Sequence, residues 1–78
     1  MMQLHIITPE RTIFTGEVSL VQLPGIDGLF EILNNHAPLI ATLREGKIKT
    51  EKEGNEQFFE IKGGIAEILE NCVLVLAE

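Results

Sequence analysis

Tryptophan and tyrosine are absent from this chain, cysteine and basic residues are scarce, and each shortage closes off a class of function. The 78 residues contain one cysteine, Cys72, and two histidines, His5 and His36. A lone cysteine forms no internal disulfide. Inside an apolar run its thiol is expected to behave as a small buried hydrophobe, in a reducing, cytosolic setting. No His-x-x-x-His or Cys-x-x-Cys spacing supplies a zinc ligand set, so neither a metal nor a cofactor is expected. Six basic residues stand against twelve acidic ones, a formal net charge of −6, which repels phosphate backbones and leaves no basic patch for nucleic acid. No stretch approaches the ~20 apolar residues of a membrane span, and the start Met1-Met2-Gln3-Leu4-His5 lacks the basic and apolar regions of a signal peptide. Direct membrane insertion is not expected.

Catalysis lacks its parts as well. Gly25-Ile26-Asp27-Gly28 is glycine-rich, but neither a Gly-Lys-Ser/Thr nor a helix comes after it to hold an anion. Asp27 and Glu31 read as a turn residue and a strand residue, and no nucleophile and base converge with them. His5, between Leu4 and Ile6, reads as a surface strand residue.

What is present is strand grammar. Apolar residues make up 45% of the sequence, mostly Ile, Leu and Val in short runs of period two separated by turn residues. The runs are Gln3 to Thr8 with a short continuation at Thr12 to Phe14 before a Thr15-Gly16 turn, and Glu17 to Leu23 ended by Pro24-Gly25. Leu29 to Leu33 is next, closed by an Asn34-Asn35 turn, and then a strand that Pro38 holds at an edge or delays until after it. Gly46 to Glu53 and Gln57 to Lys62, joined at Gly54-Asn55, carry so much charge that they read as a solvated hairpin. Gly63-Gly64 permits a sharp bend, and Ile65 to Leu69 and Cys72 to Ala77 flank a Glu70-Asn71 turn, the last strand being central. With no helical stripe and no linker, the expected fold is a single all-β domain over residues 1–78, a flattened antiparallel sandwich of about ten short strands. Val75 is an expected core residue.

The stretch Gly25 to Leu39 carries the functional signal: an acidic hairpin, then His36-Ala37-Pro38-Leu39 directly after a polar turn. Together with Thr15-Gly16-Glu17-Val18, Val21-Gln22-Leu23-Pro24, Gly63-Gly64-Ile65-Ala66-Glu67-Ile68 and Val73-Leu74-Val75-Leu76-Ala77, it resembles the N-terminal domain of the epsilon subunit of F-type ATP synthases, over essentially the whole chain. The resemblance implies a ten-stranded β-sandwich in the rotating central stalk, non-catalytic, peripheral at the cytoplasmic face of the bacterial inner membrane. Its implied partners are the gamma subunit and the c-ring. It places Thr8, His36, Ile40 and Thr42 toward gamma, and the loop with Ile26, Asp27, Leu29 and Glu31 toward the ring.

Two departures qualify what the resemblance implies. The family pattern has an acidic residue directly after the glycine turn and Pro-Gly before the histidine. Here Glu31 comes two positions later and Asn34-Asn35 replaces Pro-Gly, so Glu31 keeps its strand face but changes height. Family members usually continue into a C-terminal helical hairpin that can bind ATP, and residues 1–78 hold no such segment, so no nucleotide is expected. The alternative to a stalk subunit is a stand-alone β-sandwich module that binds a protein or ligand. A stalk subunit predicts one sizeable exposed apolar face and a separate acidic end.

Overall fold

The computed structural model of the chain describes residues 1–78 and is built of strands joined by turns and short loops. In chain order the strands are β1 (Met2–Ile7), β2 (Thr12–Val18), β3 (Leu20–Gly25), β4 (Gly28–Leu33), β5 (Leu39–Leu43), β6 (Gly46–Lys52), β7 (Asn55–Ile61), β8 (Gly64–Leu69) and β9 (Cys72–Ala77). They pair in the order β2-β1-β9-β8-β5-β3-β6-β7, with β4 added along β3. The sheet is continuous, but β5 meets β3 through the single bridge Gly25–Leu43, and there it turns a corner. One layer is β2-β1-β9-β8-β5, the other β4-β3-β6-β7, so the nine strands curl into a half-barrel. Across its open side Phe14 of β2 and Phe59 of β7 meet with ring centroids 5.2 Å apart, tilted by 52°, an arrangement that aromatic quadrupoles favour.

Period-two alternation builds the interior. Leu4 and Ile6 of β1, Val21 and Leu23 of β3, Ile32 of β4, Ile48 of β6, and Val73 and Val75 of β9 are fully buried between the layers. Each occupies every second position of its strand, which is what a pleated ribbon with one dry face requires.

The structure revises several expectations. The sheet is antiparallel except for β1 and β9, which pair in parallel. They are far apart in sequence, so no tight turn forces them to be antiparallel. Thr15-Gly16 is not a turn, because β2 runs through it to Val18, and the break falls at Ser19, whose amide and hydroxyl both donate to the Glu51 carbonyl at 2.8 and 2.9 Å. Nor does Pro24 end its strand. It falls where β3 changes partner from β6 to β5, a gap in the ladder where no N–H is needed, and its carbonyl accepts from the Arg44 amide at 2.9 Å.

The β6–β7 hairpin is not wholly solvated. Because β6 lies between β3 and β7, one of its faces is interior, burying Ile48 and Thr50, and Ile61 of β7 joins them. Its turn is Glu53-Gly54, both residues at positive φ (52° and 81°), one position earlier than the sequence indicates. Such a two-residue turn matches the twist of its flanking strands. Cys72 points to the outer face and is only half-buried, since its neighbour Val73 holds the inward position. Pro38 does delay its strand, which starts at Leu39, and Asn34-Asn35 and Glu70-Asn71 are turns.

Candidate partner-binding site

The strand β9 reads Cys72-Val73-Leu74-Val75-Leu76-Ala77, apolar on both faces, although only one faces the interior. Its outward set joins apolar neighbours on either side. One row across the first layer runs Thr42, Ile65, Leu76, Ile7, and the next runs Ile40, Glu67, Leu74, His5, Thr15. Ile40 is 71% exposed, Ile65 50% and Leu76 52%. Water-facing strands of a half-barrel alternate with polar residues unless something covers them, so this outer face has the composition of an interface.

A second feature adjoins it. The β3–β4 hairpin turns at Ile26-Asp27, and its tip is tied to β5 by the Ile26 amide, which donates to the Thr42 carbonyl at 3.0 Å. Between hairpin and strand lies an open cleft of about 500 Å³ lined by Ile26, Asp27, Leu29, Ile40 and Thr42 among others. Five of the eight residues singled out from the sequence therefore share one site, drawn from both predicted sides. Ile26 and Leu29 are more than half exposed beside the Asp27 carboxylate, giving the tip apolar edges and one negative charge.

The other three stand apart. Glu31 lies outward on β4 and accepts from Gln22 Nε2 at 3.2 Å. Thr8 caps the turn after β1, where its amide donates to the Arg11 carbonyl at 2.8 Å and its hydroxyl both donates to that carbonyl and accepts from the Arg11 amide. It lines a cleft with Glu10, Arg11, Glu45, Lys47 and Glu78 rather than with Ile40. His36 is half-buried in the β4–β5 loop. Its Nδ1–H donates to the Ala37 carbonyl at 2.7 Å, which leaves Nε2 as the free ring nitrogen. Asp27 and His36 bracket the six-residue β4 and so lie roughly 20 Å apart along the strand direction. A whole strand therefore separates the turn of the Gly25 to Leu39 stretch from its histidine.

Asn71 holds the His36 loop in place. Its Oδ1 accepts from the Asn35 amide at 2.8 Å, and its Nδ2 donates to Asn34 Oδ1 at 2.8 Å and to the Met1 carbonyl at 2.9 Å. One side chain in the β8–β9 turn therefore joins the chain start to the loop. Since Asn71 has φ 62°, Asn71→Gly removes the bonds without straining the turn. It is expected to cost about 1–2 kcal/mol and to speed hydrogen exchange at the Asn35 amide. Unchanged exchange there would show that the loop holds itself.

Comparison with known proteins identifies the fold. Residues 1–78 match the family model described as ATP synthase, Delta/Epsilon chain, beta-sandwich domain. The chain belongs to this family. The ATP synthase epsilon chain of Caulobacter vibrioides is 44% identical over 80 residues, covering all of this chain and 93% of that relative. That of Chlorobium limicola is 43% identical, over 97% of this chain and 88% of the relative. The Rhodopseudomonas palustris (strain BisA53) epsilon chain, 44% identical, is covered over only 54% of its length, so these relatives differ in how much chain they carry besides the sandwich. Among solved structures, a chain of the Euglena gracilis mitochondrial ATP synthase OSCP/F1/c-ring assembly superposes with a TM-score of 0.88 at 22% identity, over 95% of this chain and 48% of that one. One from the Tetrahymena thermophila mitochondrial ATP synthase central stalk/c-ring gives 0.83 at 16% identity, over 97% and 62%. At those identities the likeness is one of fold.

Within this family's sandwich, the residues that sequence reasoning missed are the β8–β9 half of the outer face, Ile65, Leu74 and Leu76 with Glu67 among them, and the Asn71 latch. The signal for the face was legible: a strand apolar on both sides in a domain too small to bury both. The latch carried none, because its bonds span 36, 37 and 70 residues.

Proposed function

We propose that the chain is a non-catalytic stalk subunit of an F-type ATP synthase, docking on the gamma subunit through the outer face of β5, β8 and β9 and on the c-ring through the Ile26-Asp27 hairpin. In that role it couples rotation of the ring to the shaft, and ATP synthesis elsewhere in the complex, at the cytoplasmic face of the bacterial inner membrane. The observation that carries the reading is the exposed apolar face, whose Ile40, Ile65 and Leu76 are left open to solvent by the rest of the chain. Family membership names the assembly. The hairpin suits a ring loop because its one carboxylate, flanked by Ile26 and Leu29, complements basic polar residues and would steer association more than tighten it. Glu31, held by Gln22, stands farther down the same strand, and His36 and Thr8 contribute at the margins of the gamma contact.

Co-purification with gamma tests this. The parent chain is expected to bind, and Ile65→Glu, which sets a charge in the middle of the apolar face, to weaken binding by about 30-fold or more. Asp27→Ala should lower ring association more than it lowers gamma binding, because Asp27 borders the cleft that Ile40 and Thr42 share. A well-folded parent that does not bind gamma would favour a free-standing module instead. His36→Ala with undiminished gamma binding would remove the role given to that ring.

A further inference from the structure

Glu67 interrupts the apolar outer face at its centre. Its cross-strand neighbours are Ile40 and Leu74, its same-face neighbours along β8 are Ile65 and Leu69, and its side chain is exposed. Both ion pairs in the chain belong to Lys49, with Glu51 and Glu56, and neither involves Glu67. The nearest titratable group in its row, His5, lies two strand spacings away, roughly 10 Å, and its Nδ1 contacts Thr15 Oγ1 at 3.2 Å. Any surface that covers Ile40, Ile65 and Leu76 also takes water from this carboxylate. An unpaired carboxylate under an interface is penalised heavily unless a cation meets it.

We propose that Glu67 is the specificity-determining residue of this face, and that the partner surface seated on it presents a Lys or Arg within an apolar patch. The proposal rests on the reading above in taking that partner to be gamma. The apolar residues alone would accept any greasy surface of suitable shape. Glu67 rejects those without a cation, because discrimination arises as much from the penalty on the wrong partner as from attraction to the right one. The carboxylate sits in the middle of the face rather than at its rim, where a charge contributes little.

The test is a titration of purified gamma onto the parent chain, Glu67→Gln and Glu67→Leu, at low and high salt. Each variant's fold is checked by circular dichroism, which should be unchanged because the side chain is exposed. The parent is expected to bind with an affinity that falls as salt rises. Glu67→Gln should weaken binding about tenfold, and Glu67→Leu about tenfold or more despite the apolar area it adds, since the partner's cation is left buried and unpaired. Both variants should lose most of the salt dependence. Glu67→Leu binding gamma as tightly as the parent would overturn the proposal while leaving the stalk reading standing. A folded parent that does not bind gamma would overturn that reading, and this proposal with it.

Discussion

Val75→Asp should abolish cooperative folding at neutral pH. Val75 is fully buried between Ile6 of β1 and Ala66 of β8, in a cluster of fifteen buried apolar residues. A carboxylate there has no cation and no donor within the cluster, so it must be buried unpaired, take up a proton, or drive the strand out. Each route costs on the order of 4–5 kcal/mol or more. A domain of this size has about 5–15 kcal/mol to lose in total, and small domains sit at the low end. Val75→Ala, which removes two methyl groups, should cost only about 2 kcal/mol and still melt cooperatively. Urea titration followed by circular dichroism separates the two. A parent-like midpoint for Val75→Asp would show that the β1-β9-β8 layer does not form the core.

The centre of this domain was legible because one rule governs it. Where apolar residues alternate with polar ones, as at Leu4 and Ile6 on either side of His5, a strand with one dry face results, and the structure buries those apolar side chains. The rule fails where context decides. Pro24 looks like a strand terminator, but the N–H it lacks falls in the gap between two partners of β3. Lys47, Lys49 and Glu51 make β6 look solvated, whereas strand order places β6 between neighbours and buries Ile48 and Thr50. Strand order depends on pairings such as β1 with β9, which are long-range and leave no local trace.

The candidate site divides the same way. Ile40 and Thr42 alternate on the outward side of β5, and the hairpin around Asp27 arises from its glycines, so both could be named from the sequence. That they line one cleft comes from the corner at Gly25 and Leu43, which no periodicity encodes. The opposite ends reached by Asp27 and His36 could have been inferred from strand length alone, since six residues of β4 lie between their loops.

Gly64→Ala is expected to be the most damaging of the glycine substitutions. Gly64 opens β8 and is paired on both sides, with Leu43 of β5 and Ala77 of β9. Its φ is +148°, and an added Cβ would overlap the Leu76 carbonyl oxygen and come within 3.0 Å of the Ala77 Cα. These are backbone atoms of a central strand, so no side-chain rotation relieves the clash. Either β8 and β9 separate at this end or the chain straightens, at a cost of about 3 kcal/mol or more. Gly54, at φ +81° in the β6–β7 turn, has open space around its missing Cβ, so Gly54→Ala carries backbone strain alone, about 1 kcal/mol. Thermal melts should therefore rank Gly64→Ala far below Gly54→Ala, although the two glycines are chemically the same residue. Equal losses would mean that β8 can shift past β9 without penalty. Because β8 carries Ile65 and Glu67 to the outer face, Gly64→Ala should also weaken gamma binding, whereas Gly54→Ala, in the opposite layer, should leave it intact.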